Sequence, residues 1–250
     1  FEWGPTCGCL SVSPGARSQS LGLKVICQAP VHLKNITARV GRIFDLDAPT
    51  KAIRKQLGRD SLLAGALNHI QTPRVPGTWC GFELTVRAII GQQVTVKSAT
   101  TVSGQLVKKF GRPLPAPLAD ENRRLTHLFP QPRALAKAPA ARMGMPQARA
   151  ETIRSVAKQV HAKKIEIGPT SDPDRTVRLL KEIKGIGDWT AQYVAMRALR
   201  QPDAFPAADL GLLKAASGAG QRLTPTQLEA RAESWRPFRA YAAVLLWLTG

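Results

Sequence analysis

The chain has 250 residues, which is enough to bury a substantial hydrophobic core in one or two domains. Hydrophobic residues make up 44% of it and charged residues 21%, a composition that describes a globular protein rather than a disordered or fibrous one. The net charge of +19 is not ordinary, because such an excess suits a polyanionic partner, with nucleic acid first and an anionic membrane surface second.

The N-terminal stretch gives weak signals. Residues 1–22 mix Gly, Pro, Ser and Cys without periodicity, so we expect them to be loosely ordered. The segment Leu23–Ala29 alternates enough to predict a strand. The next stretch, residues 31–47, fits a second strand or a helix, and its periodicity does not choose between them. We therefore predict a small α+β region over residues 1–50.

From Asp47 onward the signals are helical, and capping residues mark the boundaries. Asp47 precedes a helix with the sequence KAIRKQLG, and Gly58 supplies its stop. Asp60 can cap SLLAGALNHI. A Pro/Gly loop then leads into GFELTVRAIIG, after which Thr95 can cap a helix that ends at Gly111.

Later segments predict further helices. They are a short helix near Arg133–Ala138, a long one from Pro146 to about His161, DPDRTVRLLKEIK with Asp172 or Asp174 as its cap, LGLLKAAS, TQLEARAESW behind Thr224-Pro225, and the apolar FRAYAAVLLWL. The predicted fold is mainly α, with two helical lobes and a cleft between them. Residues 81–201 form one lobe, and residues 51–80 with 202–250 form the other.

The segment Leu179–Asp209 lies at the junction of these lobes. It ends one helix, passes through Gly185-Ile186-Gly187 and enters a second helix at Asp188. Both glycines permit tight, left-handed backbone geometry and the close approach of a partner. The first amides of the following helix have no intrahelical acceptor, so they can donate hydrogen bonds to an anionic oxygen. A phosphate of a nucleic acid backbone fits this description.

Aromatic and acidic residues follow the glycine turn. Trp189 and Tyr193 stand four residues apart and share one helix face. Asp209 comes after a proline-containing connection, directly before LGLLKAAS, where an N-cap is the ordinary role of such a residue. Trp247 lies in the apolar C-terminal helix and Trp235 before it, and both fit a core position.

Four blocks of the sequence resemble a known family. KGIGDWTAQ resembles the helix-hairpin-helix of DNA glycosylases whose hairpin is followed by a Gly/Pro-rich loop and a catalytic Asp. GFELTVRAIIGQQVTVKSATTV, FPAAD and WRPFRAYAAVLLWLTG resemble the bacterial DNA-3-methyladenine glycosylase II family within that superfamily. The blocks occur in the family's order and cover roughly residues 42–250. The family has a longer antiparallel α+β domain at its N-terminus, of which this chain would hold only part.

The resemblance implies a base-excision repair enzyme. It would hydrolyse the N-glycosidic bond of alkylated purines of the 3-methyladenine and 7-methylguanine type in duplex DNA and leave an abasic site. Asp209 matches the catalytic carboxylate, which stabilises a cation-like sugar and orients or deprotonates water. Asp203 and Asp188 are alternatives. Trp189 replaces the Lys that forms a Schiff base in strand-cutting relatives, which implies a monofunctional enzyme.

The same resemblance assigns binding roles. Trp189, Tyr193 and Trp247 would form the pocket for the damaged base, because electron-rich rings attract a positively charged purine; the alternative is that all three are core residues. Gln93 falls at the position of a wedge that fills the stack behind a flipped base, although a polar turn between helices explains it as well.

The hairpin is expected to hold DNA. Lys184, Gly185, Gly187 and Thr190 would contact a phosphate through main-chain amides and a hydroxyl. In this superfamily the hairpin carbonyls can also bind a monovalent cation, and no other cofactor is implied. Further basic residues could line a DNA track, although most such charges are solvated surface: Lys97, Lys108, Lys109, Arg112, Arg123, Arg124, Arg142 and Arg149.

The expected partner is double-stranded DNA with alkylated bases. We expect the protein to bind it as a monomer and not to associate with a membrane. No apolar run reaches the roughly 18 residues of a membrane helix, and the N-terminus lacks the features of a secretory signal. The cysteines match no zinc signature, and none follows Cys80, where some hairpin glycosylases carry an iron–sulfur cluster. A reducing bacterial cytoplasm, at the nucleoid, fits these features.

A different class of protein remains as the alternative. Helix-hairpin-helix elements also occur in polymerases, ligases and nucleases, where they only grip phosphates. Under that interpretation the protein is a non-catalytic DNA-binding module, Asp209 is a helix cap, and the aromatic residues are core. Removal of oxidised bases is a further enzymatic alternative, which Trp189 disfavours.

Overall fold

The computed structural model describes residues 1–3, 6–17, 20–27, 33–71, 73–115, 118, 125–217 and 222–249. The antiparallel strands are β1 (Glu2–Trp3), β2 (Thr6–Pro14) and β3 (Leu21–Cys27), in that spatial order. The α-helices are α1 (Leu33–Ile43), α2 (Thr50–Leu57), α3 (Ser61–His69), α4 (Gly81–Gly91), α5 (Val96–Phe110), α6 (Pro132–Lys137), α7 (Gln147–His161), α8 (Pro173–Lys181), α9 (Asp188–Arg197), α10 (Leu210–Ser217), α11 (Pro225–Ala232) and α12 (Arg239–Thr249). The prediction of a mainly α fold is confirmed.

The N-terminal sheet shows that the expectation of loose order over residues 1–22 was wrong. Strand β2 pairs with β3 in regular antiparallel register. Cys7, Gly8 and Cys9 are all buried, so the strand does not alternate between apolar and polar positions there. A Cβ at Gly8 would lie 2.5 Å from the carbonyl oxygen of Ile26, and only glycine permits that approach. This run of small buried residues is why periodicity did not reveal the strand.

The ambiguous stretch at residues 31–47 contains a helix, and the alternative of a strand was wrong. Ile36 and Val40 form the buried face of α1 at helical spacing. The chain leaves this helix through Asp45, whose φ is +51°. The Asp45 carboxylate pairs with Arg200 at 3.2 Å and accepts a hydrogen bond from the Val75 amide at 3.0 Å. The N-terminal region is thereby joined to the chain just beyond α9.

Most predicted caps are present. Asp60, Thr95, Asp172 and Thr224 each accept a hydrogen bond from an amide in the first turn of the following helix. The prediction for Asp47 was wrong, because α2 begins behind a proline without any side-chain cap. Satisfied caps explain why the helix starts could be predicted well from sequence.

The helices bury two hydrophobic cores. One core is built from α2, α3, α10, α11 and α12, and it contains the fully buried Trp235. The other is built from α4 to α8. Helix α9 contributes to both, and Tyr193 packs against both. The hairpin segment therefore runs between two cores, although the domain boundaries near residues 50, 80 and 201 stay a prediction.

Three further features concern the part of the chain that the structure describes. No helix in it is long and apolar enough to cross a membrane. It also contains no group of three or more His, Cys, Asp or Glu side chains that could hold a metal ion. None of the four cysteines forms a disulfide.

Candidate active site

The hairpin joins α8 to α9 through a turn that requires one of its two glycines. Gly185 has a φ of +94°, and a Cβ there would lie 2.1 Å from Oγ1 of Thr152. Gly187 has a φ of −91° and open space around its Cβ position. The prediction of left-handed geometry is therefore right for Gly185 and wrong for Gly187. The Thr152 hydroxyl also donates a hydrogen bond to the Lys184 carbonyl at 2.9 Å, which ties the turn to α7.

The N-terminus of α9 is an exposed helix start. No side chain caps it, so its first amides have no intrahelical acceptor. Lys184, Gly185 and Gly187 are all exposed beside it. Asp188, considered above as a catalytic alternative, forms an ion pair with Lys181 at 3.0 Å and adds negative charge to the positive end of the helix.

The Thr190 hydroxyl is not available for the predicted phosphate contact. Thr190 is only 1% exposed, and its Oγ1 accepts a hydrogen bond from the Gln92 side-chain amide at 2.9 Å. The same amide donates to the Gly185 carbonyl at 3.0 Å, and the Gln92 carbonyl accepts from Arg149 at 2.7 Å. Gln92 thus joins the end of α4 to the hairpin and to α7. The sequence does not reveal this role, because a polar residue at a helix end resembles an exposed turn.

Gln93, the predicted wedge, follows directly in the loop between α4 and α5. Its side chain is exposed and its φ is +55°. A positive φ is uncommon for a residue other than glycine and persists where the surroundings hold the backbone. The hydrogen bonds of Gln92 supply that support. The structure places Gln93 where a ligand can reach it, and its role as a wedge stays a prediction.

Asp209 lies at the centre of the site and accepts three hydrogen bonds. Its Oδ2 accepts from the indole nitrogen of Trp189 at 2.8 Å. Its Oδ1 accepts from the indole nitrogen of Trp247 at 2.9 Å and from the Leu212 amide at 3.0 Å. The last of these bonds caps α10, so Asp209 is a helix cap and a site residue at once. A carboxylate has about four acceptor positions, which leaves one on Oδ2.

The three predicted pocket residues come together. The rings of Trp189 and Tyr193 stack with their centroids 5.5 Å apart and their planes at 15°. Trp247 meets Tyr193 edge-on at 6.4 Å. Because Trp189 and Tyr193 contact each other, no base fits between them, and a base can stack only on an outer surface of this aromatic cluster. All three residues are half-buried rather than fully buried core residues.

Neighbouring groups fix the segment that carries Asp209. The Gln192 side-chain oxygen accepts a hydrogen bond from the Phe205 amide at 3.2 Å, which holds the connection against α9. A Cβ at Gly211 would lie 3.1 Å from Oδ1 of Asp209 and 3.3 Å from the Trp247 ring. No motif or spacing in the sequence points to Gln192 or Gly211. Only the fold reveals how closely they approach the site.

Asp203 and Trp235 have structural roles. The Asp203 carboxylate pairs with Arg236 and, at 3.0 Å, with Arg239, so its charge is already compensated. Trp235 is fully buried and donates its indole hydrogen to Asp60 at 2.9 Å. Neither residue belongs to the aromatic cluster around Asp209.

The residues predicted for a DNA track are mostly exposed. Lys97, Lys108, Lys109, Arg112 and Arg142 all lie on the surface. Arg112 is engaged in an ion pair with Glu2, and Arg149 holds Gln92 as described above. Arg123 and Arg124 fall outside the described residues.

Two profiles of known families match the chain. Residues 1–80 match the AlkA N-terminal domain, and residues 86–240 match the HhH-GPD superfamily base excision DNA repair protein. The matches begin at residue 1 and so extend beyond the resemblance predicted for residues 42–250.

Known proteins are similar over most of the chain. The probable bifunctional transcriptional activator/DNA repair enzyme AlkA of Mycobacterium tuberculosis H37Rv is 35% identical over 260 residues, which cover 97% of this chain and 52% of that protein. The chain thus spans about half the length of this relative. DNA-3-methyladenine glycosylase 2 of Escherichia coli K12 is 32% identical over 215 residues, which cover 85% of this chain and 71% of that protein.

A solved structure shares the fold. The 3-methyladenine DNA glycosylase of Archaeoglobus fulgidus superposes with a TM-score of 0.78 at 23% identity, over 96% of this chain and 81% of that one. Together with the matched profiles and the glycosylase of Escherichia coli, this similarity confirms the resemblance stated from the four sequence blocks. The chain belongs to the HhH-GPD superfamily of base excision DNA repair proteins and, within it, to the family of DNA-3-methyladenine glycosylase 2.

Proposed function

We propose that this protein is a monofunctional DNA glycosylase, which hydrolyses the N-glycosidic bond of alkylated purines in duplex DNA and leaves an abasic site. The observation that carries the proposal is the Asp209 carboxylate, held by two indole N–H groups beside a half-buried aromatic cluster. The names of the relatives from Escherichia coli and Bacillus subtilis, both DNA-3-methyladenine glycosylases, support the reaction and the substrate class.

Asp209 acts on the sugar. Breaking a glycosidic bond develops positive charge at the anomeric carbon, and a fixed carboxylate stabilises that charge. The three donors to Asp209 are neutral, so they orient the carboxylate without compensating its charge. The remaining acceptor position on Oδ2 faces the reacting groups and orients the attacking water. Because an indole stands at Trp189, no amine is present there to form a Schiff base, and water is the nucleophile.

The aromatic cluster recognises the base. A purine methylated at N3 or N7 carries a positive charge, which the electron-rich faces of Trp189, Tyr193 and Trp247 attract. A cationic base is also a good leaving group, so a single carboxylate suffices. Because the base stacks on an outer surface of the cluster, its shape is weakly constrained, which favours acceptance of several alkylated purines.

The hairpin holds the DNA strand. The uncapped amides at the start of α9 donate hydrogen bonds to a phosphate, and Lys184 adds a positive charge beside them. A monovalent cation on the hairpin carbonyls is also compatible with the chain, because the Lys184 and Gly185 carbonyls each accept one hydrogen bond and a carbonyl oxygen has two lone pairs. We propose further that a monomer binds DNA in this way and that exposed Gln93 fills the space of the flipped base.

The test is release of methylated bases from duplex DNA that has been treated with a methylating agent. We expect Asp209→Asn to lower the rate of release by about a hundredfold or more, because the charge that stabilises the sugar is lost. Asp174→Asn is the matched control, since Asp174 is an exposed first-turn residue of α8. It should release base at the wild-type rate.

Binding to the same duplex separates the two classes of function. If Asp209→Asn binds like the wild type and only the wild type and Asp174→Asn release base, the glycosylase proposal stands. If all three proteins bind and none releases base, the protein is a non-catalytic DNA-binding module, and the proposed activity is wrong.

A further inference from the structure

Neither Asp209 nor its aromatic cluster lines a polar cavity at the end of α9. It has a volume of about 390 Å³ and is enclosed by the end of α1, residues 77–81, residues 166–170 and the chain at the C-terminal end of α9. Four arginines line it, and Glu166 is the single acidic residue among the described lining residues. The arginines are Arg39, Arg42, Arg197 and Arg200. They come from both sequence regions that match family profiles.

The guanidinium groups of Arg197 and Arg200 are only partly engaged by their neighbours. Arg200 has a carboxylate partner, Asp45, at 3.2 Å. Arg197 donates to two neutral groups, the Tyr193 hydroxyl at 3.1 Å and the Pro76 carbonyl. A guanidinium has five N–H donors, so these bonds leave donors of both residues for another acceptor.

Arg39 and Arg42 stand side by side at the N-terminal wall. Arg39 lies over the Trp79 ring at 4.4 Å and donates to the Trp79 carbonyl. Burial lowers the pKa of the Arg39 guanidinium; Cys80 acts in the opposite direction, and the charge of Arg42 adds to the lowering. Within the described part of the chain, the Arg42 side chain forms no hydrogen bond and no ion pair. The two neighbouring positive charges of Arg39 and Arg42 repel each other, and an anion bound between them would relieve that repulsion.

Two glycines keep the walls of the cavity close. A Cβ at Gly81 would lie 2.2 Å from the Ile167 carbonyl oxygen, and one at Gly77 would lie 3.0 Å from the Arg42 carbonyl oxygen. The Gly77 amide also donates to the Ile43 carbonyl at 2.8 Å. The arginines are therefore presented from a shaped, concave wall rather than from an open surface.

We propose that this cavity is a binding site for a phosphate group. Planar guanidinium groups match the geometry of phosphate oxygens, and several of them together bind a multiply charged pyrophosphate or the singly charged phosphodiester of a nucleic acid. The site is separate from the hairpin, because the ten residues of α9 set its two ends about 15 Å apart. It does not rest on the proposed glycosylase activity.

The test compares Arg42→Gln with Arg133→Gln. Arg42 projects from α1 at the cavity, whereas Arg133 is an exposed residue of α6 outside it, so both variants lose one guanidinium. Calorimetric titration of the whole chain with inorganic pyrophosphate should show binding by the wild type and by Arg133→Gln. We expect Arg42→Gln to bind about tenfold more weakly, because one charge-assisted hydrogen bond is lost.

A second arm identifies the source of the phosphate. Affinity for undamaged duplex DNA is measured over a range of salt concentrations for the same three proteins. If Arg42→Gln lowers the slope of log affinity against log salt by about one unit, the cavity takes a strand phosphate; an unchanged slope with weaker pyrophosphate binding indicates a small free anion. If Arg42→Gln matches Arg133→Gln in both arms, the proposal is wrong.

Discussion

Asp60 and Asp209 occupy comparable positions in the same predicted lobe. Each precedes a helix and accepts a hydrogen bond from an amide of its first turn. Each also accepts an indole hydrogen, Asp60 from Trp235 and Asp209 from Trp189 and Trp247. Local sequence signals, without the family resemblance, predict a helix cap at both positions.

The two carboxylates differ in whether a basic side chain forms an ion pair with them. Arg231 pairs with Asp60 at 3.0 Å, and the Asp60 side chain is only 13% exposed. Among the described residues, no Lys or Arg forms an ion pair with Asp209, which is half-buried at the edge of the aromatic cluster. Two residues with the same capping interaction thus differ in charge compensation, and the uncompensated one, Asp209, is the residue to which the proposed function assigns catalysis.

The largest effect that we expect to test the comparison of Asp60 with Asp209 is on the free energy of unfolding. We expect Asp60→Asn to lower the free energy of unfolding by about 2 kcal/mol at pH 7, because Arg231 and the Trp235 indole lose a charged acceptor. Urea unfolding measures it. Base release per folded molecule should stay at the wild-type value, the reverse of the result expected for Asp209→Asn.

The pH dependence of the stability difference between the wild type and Asp60→Asn supplies a control. Burial raises the pKa of Asp60, but hydrogen bonds from Arg231 and Trp235 outweigh it, so the pKa lies below its usual value. The stabilisation is complete above the unfolded-state pKa of about 3.9 and is lost as the pH falls through the lower folded-state pKa. The gap between wild type and Asp60→Asn should therefore narrow below about pH 4. A gap that widens there contradicts the assigned role.

A smaller effect is expected from the indole donors. Trp247→Phe keeps a ring beside Tyr193 but removes one hydrogen bond to Asp209, so we expect kcat for base release to fall about tenfold with little change in stability. Trp235→Phe removes the matching bond to Asp60. That variant should lose stability and keep kcat. Equal effects of the two variants on kcat would show that the indole bonds do not distinguish the sites.

The smallest effect concerns the close packing around Asp209. Gly211→Ala places a Cβ against Oδ1 and the Trp247 ring, and we expect kcat to fall about threefold through a small displacement of the carboxylate. Gly65→Ala in α3 is the control, because open space surrounds that position. Both variants gain helix propensity. Unchanged kcat in Gly211→Ala would mean that the carboxylate tolerates the displacement.

Local signals in the sequence predicted the helices and much of the site. Cap residues such as Thr95 and Asp172 act within one turn, and Trp189 and Tyr193 share a face because of helical spacing. For Asp209 local chemistry indicated a cap, and the family resemblance indicated catalysis. The structure contains the cap bond and, in addition, the two indole donors that no local rule supplies.

The remainder depends on contacts between distant segments. Gln92 bonds to residues more than 90 positions away, and the arginine cavity assembles side chains from α1 and from the end of α9. Strand β2 was missed because Cys7, Gly8 and Cys9 are buried in succession. Such features need the positions of packed elements, which capping and periodicity do not provide.

Helix α9 also connects the two hydrophobic cores, which bears on how the protein unfolds. Ala191 and Val194 belong to one hydrophobic core, whereas Ala195 and Met196 belong to the other. Loss of either core would remove packing contacts from this shared helix, so we expect the two lobes to unfold as one cooperative unit. Because Trp189 lies on this helix, we expect its hydrogen bond to Asp209 to be lost only in that cooperative transition.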